Sequence, residues 1–150
     1  MTRGVDTPST KRPTRTVLII DDERYTLESF AQMLRLGAYT VCTADNAQDG
    51  LREAEAHAPD AIILDLRMPL TDGLEFLRQL RAGETGRGPR VAIVTGDYFV
   101  EDKVGADLRA LGAEIHYKPL WFEDLVALAG RLVAVPDNTP PRSDSVPSTR

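Results

Sequence analysis

A few side chains far apart in this sequence make a coherent set for moving a phosphoryl group. Asp21-Asp22-Glu23 places three acids in a row, which repel one another unless a cation sits among them. Mg²⁺ takes one or two carboxylates while keeping waters and a phosphate oxygen, and Asp22 and Asp65 can supply those carboxylates. Lys118 offers a point charge to one phosphoryl oxygen, and the hydroxyl of Thr95 can donate to another. Asp65 then has a role as nucleophile, because an aspartate can carry a phosphoryl group as an acyl phosphate. Catalysis by such a set is mainly positioning and charge neutralisation. Taken alone, Asp65 has a plainer reading as the cap of the next turn.

These residues act together only if the fold gathers them, and each follows a short strand-like run. Thr16 to Ile20 precedes Asp21, Ala61 to Leu64 precedes Asp65, Val91 to Val94 precedes Thr95, and Glu114 to Tyr117 precedes Lys118. Continuous apolar runs of this length suit strands buried on both faces, as in parallel sheets. Tyr39 to Thr43 is a further, shorter strand candidate.

Helical spacing fills the intervals. Leu27, Phe30, Ala31 and Leu34 mark a first helix, stopped by Gly37. Asn46 caps a second, with Asp49 at its third position and Ala47, Leu51 and Ala54 on one face until Ala58-Pro59. Asp72 caps a third, with Glu75 reaching back and Leu74, Leu77 and Leu80 inward. Val100, Val104, Leu108 and Leu111 mark the weakest helix, where Gly105 costs about 1 kcal/mol against alanine. Leu120 to Val133 gives the last, with Leu125, Leu128, Ala129 and Leu132 inward. The alternation predicts an α/β fold: a parallel sheet with helices on both faces. Ligands bind such sheets at the carboxyl ends of their strands, the edge to which all the candidate residues are assigned.

Composition fits one domain: 150 residues, 42% hydrophobic and 27% charged. The formal charge of -5 is uneven, because Arg3, Lys11, Arg12 and Arg15 face only Asp6 in the first fifteen residues. The body is therefore more acidic than the total, which argues against nucleic acid as the main ligand. The single cysteine, Cys42, excludes an internal disulfide and reads as a small core residue of its strand. No signal peptide or membrane-spanning apolar run is recognisable, so the expected location is the cytoplasm. Residues 1–15 are expected to be a disordered basic arm, 16–133 the domain, and 134–150 a disordered Pro- and Ser-rich tail. Gly83, Gly86, Gly88 and Pro89 mark the longest loop of the body.

The acid pair after the first strand, DLRMP around Asp65, Asp72-Gly73, Thr95 and Lys118-Pro119 together resemble the receiver domain of bacterial two-component response regulators. The resemblance covers residues 16–133. It implies a flavodoxin-like (βα)5 three-layer sandwich with strand order 2-1-3-4-5. It also implies that Asp65 is the phosphoacceptor, that Asp22 binds Mg²⁺ directly and Asp21 mainly through water, and that Arg67 offers its backbone carbonyl to the metal. Thr95 and Lys118 would hold the phosphoryl oxygens, with a cis Lys118-Pro119 bond aiming the lysine. The implied donor is a phosphohistidine on a sensor histidine kinase or phosphotransfer protein. The output would pass to a downstream protein, with the chain a monomer or a phosphorylation-dependent dimer. His57 and His116 are read as ordinary structural histidines.

Some positions depart from the family pattern. An aromatic usually stands three before the lysine; here that residue is Ile115, and His116 and Tyr117 are the other candidates for a switch residue. Gly96 stands where alanine is common, and with Gly105 it suggests that phosphorylation mainly reorders residues 96–117. Arg67 and Asp97 occupy positions that tune phosphoryl lifetime in the family; opposite charges permit pairing, although solvated side chains are the simpler expectation. Trp121 and Phe122 open the last helix, where exposure of one or both to a partner is one reading and core packing the simpler expectation. The length after Val133 is expected to hold no DNA-binding or enzymatic output domain. Two other functions compete. A Mg²⁺-dependent phosphatase of the haloacid-dehalogenase type would need a second aspartate two beyond the nucleophile, where Arg67 stands. An unphosphorylated scaffold would not need the acids, threonine and lysine that are all intact.

Overall fold

The apolar runs pair side by side into one five-stranded parallel sheet of order β2-β1-β3-β4-β5. The computed structural model describes residues 15–83, 88–97 and 99–134. Along the chain run β1 (Thr16–Ile20), α1 (Arg24–Leu36), β2 (Thr40–Ala44), α2 (Ala47–His57), β3 (Ala61–Leu64), α3 (Gly73–Ala82), β4 (Arg90–Thr95), α4 (Asp102–Ala110), β5 (Ala113–Tyr117) and α5 (Phe122–Val133). In register, Ile20 stands between Ala44 and Leu64, and Leu64 beside Ile93, so β1 to β4 reach the same edge.

Alternation of side chains along each strand sorts the apolar residues into two layers. Leu18, Ile20, Ile62, Leu64, Val91 and Ile93 pack on one face with Phe76 and Leu77 of α3 and Leu108 of α4. Val17, Ile19, Ala61, Ile63, Ala92 and Val94 pack on the other with Leu27, Phe30 and Leu34 of α1 and Leu125 and Leu128 of α5. The central strands are thus covered on both sides, which is why they read as unbroken apolar runs.

The helices differ in how they begin. Glu23, Asn46 and Asp72 each accept a hydrogen bond from a backbone N–H three residues on, capping α1, α2 and α3. Neither α4 nor α5 has a side-chain cap bond.

Several boundaries differ from expectation by one or two residues. β2 starts at Thr40 rather than Tyr39 and runs on to Ala44, and α5 starts at Phe122 rather than Leu120. Val100 and Leu111 flank α4 instead of lying within it, although both pack against the core. Glu75 does not complete a capping box: its carboxylate accepts from the Gln79 amide at 3.1 Å and lies 3.6 Å from Arg78. The expected arm and tail, apart from Arg15 and Ala134, and Gly86 of the long loop lie outside the described residues. Among the described residues no helix is long and apolar enough to cross a membrane.

Candidate functional site

The residues that follow the strands are tied into the sheet by their own backbones. The N–H of Asp21 donates to Ala44 O at 3.2 Å, that of Asp65 to Ile20 O at 2.9 Å, and that of Lys118 to Thr95 O at 2.8 Å. Each is in effect one more rung of the ladder, so the strand ends fix where these side chains start.

Carboxylate oxygens of Asp21, Asp22 and Asp65 lie within 4.8 Å of one another. Asp21 and Asp65 are buried, at 3% and 7% exposure, while Asp22 faces solvent. Lys118 Nζ donates to Asp21 Oδ2 at 2.8 Å and lies 3.7 Å from Asp65 Oδ1. The ammonium therefore faces the two buried acids, with Asp22 beside them on the solvent side. Burial, with Asp21 and then Asp22 nearby, pushes the Asp65 carboxyl up to about 6 against the pull of Lys118 and the Leu66 N–H. An oxygen-only donor set with surplus negative charge suits a hard divalent cation such as Mg²⁺, which would relieve that repulsion.

Glu23, the third acid of the run, is not part of this cluster. It caps α1, and hydrogen bonds from the Thr26 hydroxyl and N–H hold its carboxyl below the usual range. Its neighbour is held in turn, since Asp21 Oδ1 accepts from the Glu23 N–H at 2.9 Å.

Thr95 is fully buried at the end of β4, and its Oγ1 accepts from the Asp97 N–H at 3.1 Å. The Lys118-Pro119 peptide bond is cis. Arg67 lies two residues past Asp65, and its guanidinium reaches across to the loop after β4, donating to Asp97 Oδ2 at 2.7 Å. That bond, followed by one from the Phe99 N–H to its other oxygen, holds the Asp97 carboxyl below the usual range. The expectation of two separate solvated side chains is thus corrected: the loop geometry brings an unlike pair within reach.

Gly73 has a role that sequence reasoning missed. Its N–H donates to Leu66 O at 2.8 Å, and a Cβ built there would stand 2.6 Å from the Asp65 carbonyl oxygen and 3.0 Å from Leu66 Cα. Only a glycine lets α3 start this close to the backbone of Asp65. The Asp-Gly pair at a helix start was the available signal.

Ile115 packs against the layer that includes α3 and α4, His116 Nε2 lies 2.9 Å from Glu114 Oε1, and Tyr117 is partly exposed at the end of β5. His57 closes α2, and its Nε2 lies 3.3 Å from Glu53 Oε1. Trp121 and Phe122 are not core residues as expected: 65% and 42% exposed, they stand at the start of α5, before its inward stripe begins at Leu125.

A family model described as the response regulator receiver domain matches residues 17–129. The chain belongs to that family. This receiver is 36% identical over 111 residues to the transcriptional regulatory protein PrrA of Mycobacterium tuberculosis, an alignment covering 74% of the chain and 46% of PrrA. It is 34% identical over 129 residues to the response regulator MprA of Mycobacterium avium, covering 86% of the chain and 54% of MprA. The receiver thus spans about half the length of the curated relatives it matches. Among solved structures, the chemotaxis protein CheY4 of Vibrio cholerae superposes with a TM-score of 0.72 at 25% identity, over 80% of this chain and 99% of CheY4. A response regulator receiver domain protein of Clostridium thermocellum gives 0.69 at 26% identity, over 79% and 94%. The 2-1-3-4-5 sheet is that of these CheY-like neighbours, and the chain is a receiver of two-component systems.

Proposed function

We propose that Asp65 accepts a phosphoryl group from a phosphohistidine on a sensor histidine kinase or phosphotransfer protein, and that the phosphorylated receiver signals to a downstream protein in the cytoplasm. Residues 16–133 are the working unit. The observation that carries this reading is the meeting of Asp21, Asp22 and Asp65 within 4.8 Å, with Lys118 Nζ 2.8 Å from Asp21 and 3.7 Å from Asp65.

Asp65 attacks phosphorus with one carboxylate oxygen; the P–N bond to the imidazole breaks as the new P–O bond forms, and the electron pair leaves on the histidine nitrogen. Asp22 would hold Mg²⁺ directly and Asp21 mainly through water, with Arg67 offering its backbone carbonyl. Bound there, Mg²⁺ supplies the positive charge that lets an acidic pocket take an anionic group. Lys118 moves its ammonium from Asp21 to a phosphoryl oxygen, and the Thr95 hydroxyl donates to another. Because Thr95 Oγ1 accepts from the Asp97 N–H, a pull on that hydroxyl passes directly to the loop that opens residues 96–117. A hydrolase using the same acyl phosphate would need an acid at Arg67, whose guanidinium is instead engaged by Asp97.

Intact-mass analysis after incubation with acetyl phosphate and Mg²⁺ tests the assignment. The native chain is expected to gain one phosphoryl group only with the metal, and the Asp65→Asn variant none. Equal labelling of the variant would refute the acceptor, and sustained turnover of unrelated phosphate esters would favour the phosphatase.

A further inference from the structure

A second cluster of metal-binding groups lies outside the acid pocket. Cys42 sits in the middle of the edge strand β2, half-buried against the layer that includes Leu51 and Ala54 of α2. Glu53 and His57 are four residues apart on α2, and such spacing puts both side chains on one face of a helix. The sulfur, a carboxylate oxygen and an imidazole nitrogen all lie within 4.8 Å of one another.

We infer that Cys42, Glu53 and His57 form a site for a borderline divalent transition metal, Zn²⁺ in the first instance. The donor set decides the class: a thiolate and an imidazole beside one carboxylate suit Zn²⁺, whereas Mg²⁺ and Ca²⁺ take oxygen alone. Ligands roughly 2.0–2.3 Å from a tetrahedral ion stand about 3.3–3.8 Å from one another. His57 Nε2 and Glu53 Oε1, at 3.3 Å, already meet that spacing. The sulfur lies within 4.8 Å of both, and the His57 and Glu53 side chains, 53% and 36% exposed, have room to close on it. The strand fixes the third ligand, and a water from the solvent side completes the four.

Cys42 is the only cysteine of the chain, so no internal disulfide competes for its sulfur. Burial, then the Glu53 charge, pushes the Cys42 thiol above its usual range. Metal binding takes the thiolate: the S–H proton leaves to solvent as the metal–sulfur bond forms, and the like charge of Glu53 becomes a second ligand instead of an obstacle. The bound ion ties α2 to the sheet edge and stabilises the folded chain by mass action.

Co²⁺ is the probe for the test, because a thiolate ligand gives it a charge-transfer band that oxygen ligands alone do not. The full chain is expected to show this band saturating at one Co²⁺ per chain, to lose it on excess Zn²⁺, and to melt higher with Zn²⁺. Cys42→Ser should abolish the band, and Glu53→Gln and His57→Ala should each weaken binding at least tenfold. Asp65→Asn should keep the band while losing phosphoryl uptake, which separates this site from the proposed function. A native chain without the band overturns the inference. So does a band indifferent to both helix substitutions, or Zn²⁺ binding that Cys42→Ser leaves unchanged, which would place the metal among Asp21, Asp22 and Asp65.

Discussion

The two halves of the pocket are built differently. The acids rise from β1 and β3, central strands flanked by helices whose first turns are closed by Glu23, Asn46 and Asp72. Thr95 and Lys118 rise from β4 and β5, beside α4 and α5, which start without a side-chain cap. A cap contributes about 1 kcal/mol, and α4 also carries Gly105 in its interior. The half that would hold the metal is therefore preorganised, and the half that would grip the phosphoryl group is the softer one. Such a division suits a switch: a fixed point of attachment beside a region of low local stability that can take two arrangements.

The largest test of this contrast removes the charge at its centre. An unfolded aspartate ionises near 3.8, while folded Asp65 holds its proton to about 6. Ionisation therefore favours the unfolded chain, with no effect below the unfolded value and the full penalty above pH 6. At about 1.4 kcal/mol per tenfold change in proton affinity, the penalty reaches at most about 3 kcal/mol. Asp65→Asn should stabilise the metal-free protein by up to that amount at pH 7.5, and the gain should vanish towards pH 4. Urea unfolding at both pH values measures it, and added Mg²⁺ should narrow the difference at the higher pH.

Two glycine-to-alanine substitutions sharpen the contrast. Gly73→Ala pushes a methyl into the backbone of Asp65 and Leu66, which cannot yield cheaply, and should cost about 1–3 kcal/mol in the same assay. Gly105→Ala meets mainly the far end of the Arg109 side chain, which can move aside. It should stabilise the chain by up to about 1 kcal/mol by helix propensity alone. If both cost the same, the halves do not differ in rigidity.

What could be read from the sequence follows the same division. The central strands announce themselves because Val17 to Ile20 and Ala61 to Leu64 are covered on both faces, and Asp21, Asp22 and Asp65 stand directly after such runs. Local chemistry was legible too, as at Asn46 and Asp72, whose caps need only residues three positions away. Contacts set by loops were not. The pairing of Arg67 with Asp97 spans thirty positions and depends on how two loops face each other. Asp21, Asp22 and Glu23 read as one acidic run, yet the turn into α1 gives Glu23 to the helix and leaves Asp21 and Asp22 with Asp65. Trp121 and Phe122 carry the composition of a core but sit ahead of the inward stripe of α5. Glu53 and His57 stand four apart in the sequence, but their meeting with Cys42 needed the packing of α2 on β2.

Amide hydrogen exchange, followed by mass spectrometry with and without acetyl phosphate and Mg²⁺, tests the division of labour most directly. Phosphorylation of the native chain should change exchange mainly across residues 96–117, leave α1 to α3 nearly unchanged, and do neither in Asp65→Asn. Changes concentrated in α1 to α3, or unchanged exchange in a fully phosphorylated chain, would contradict it.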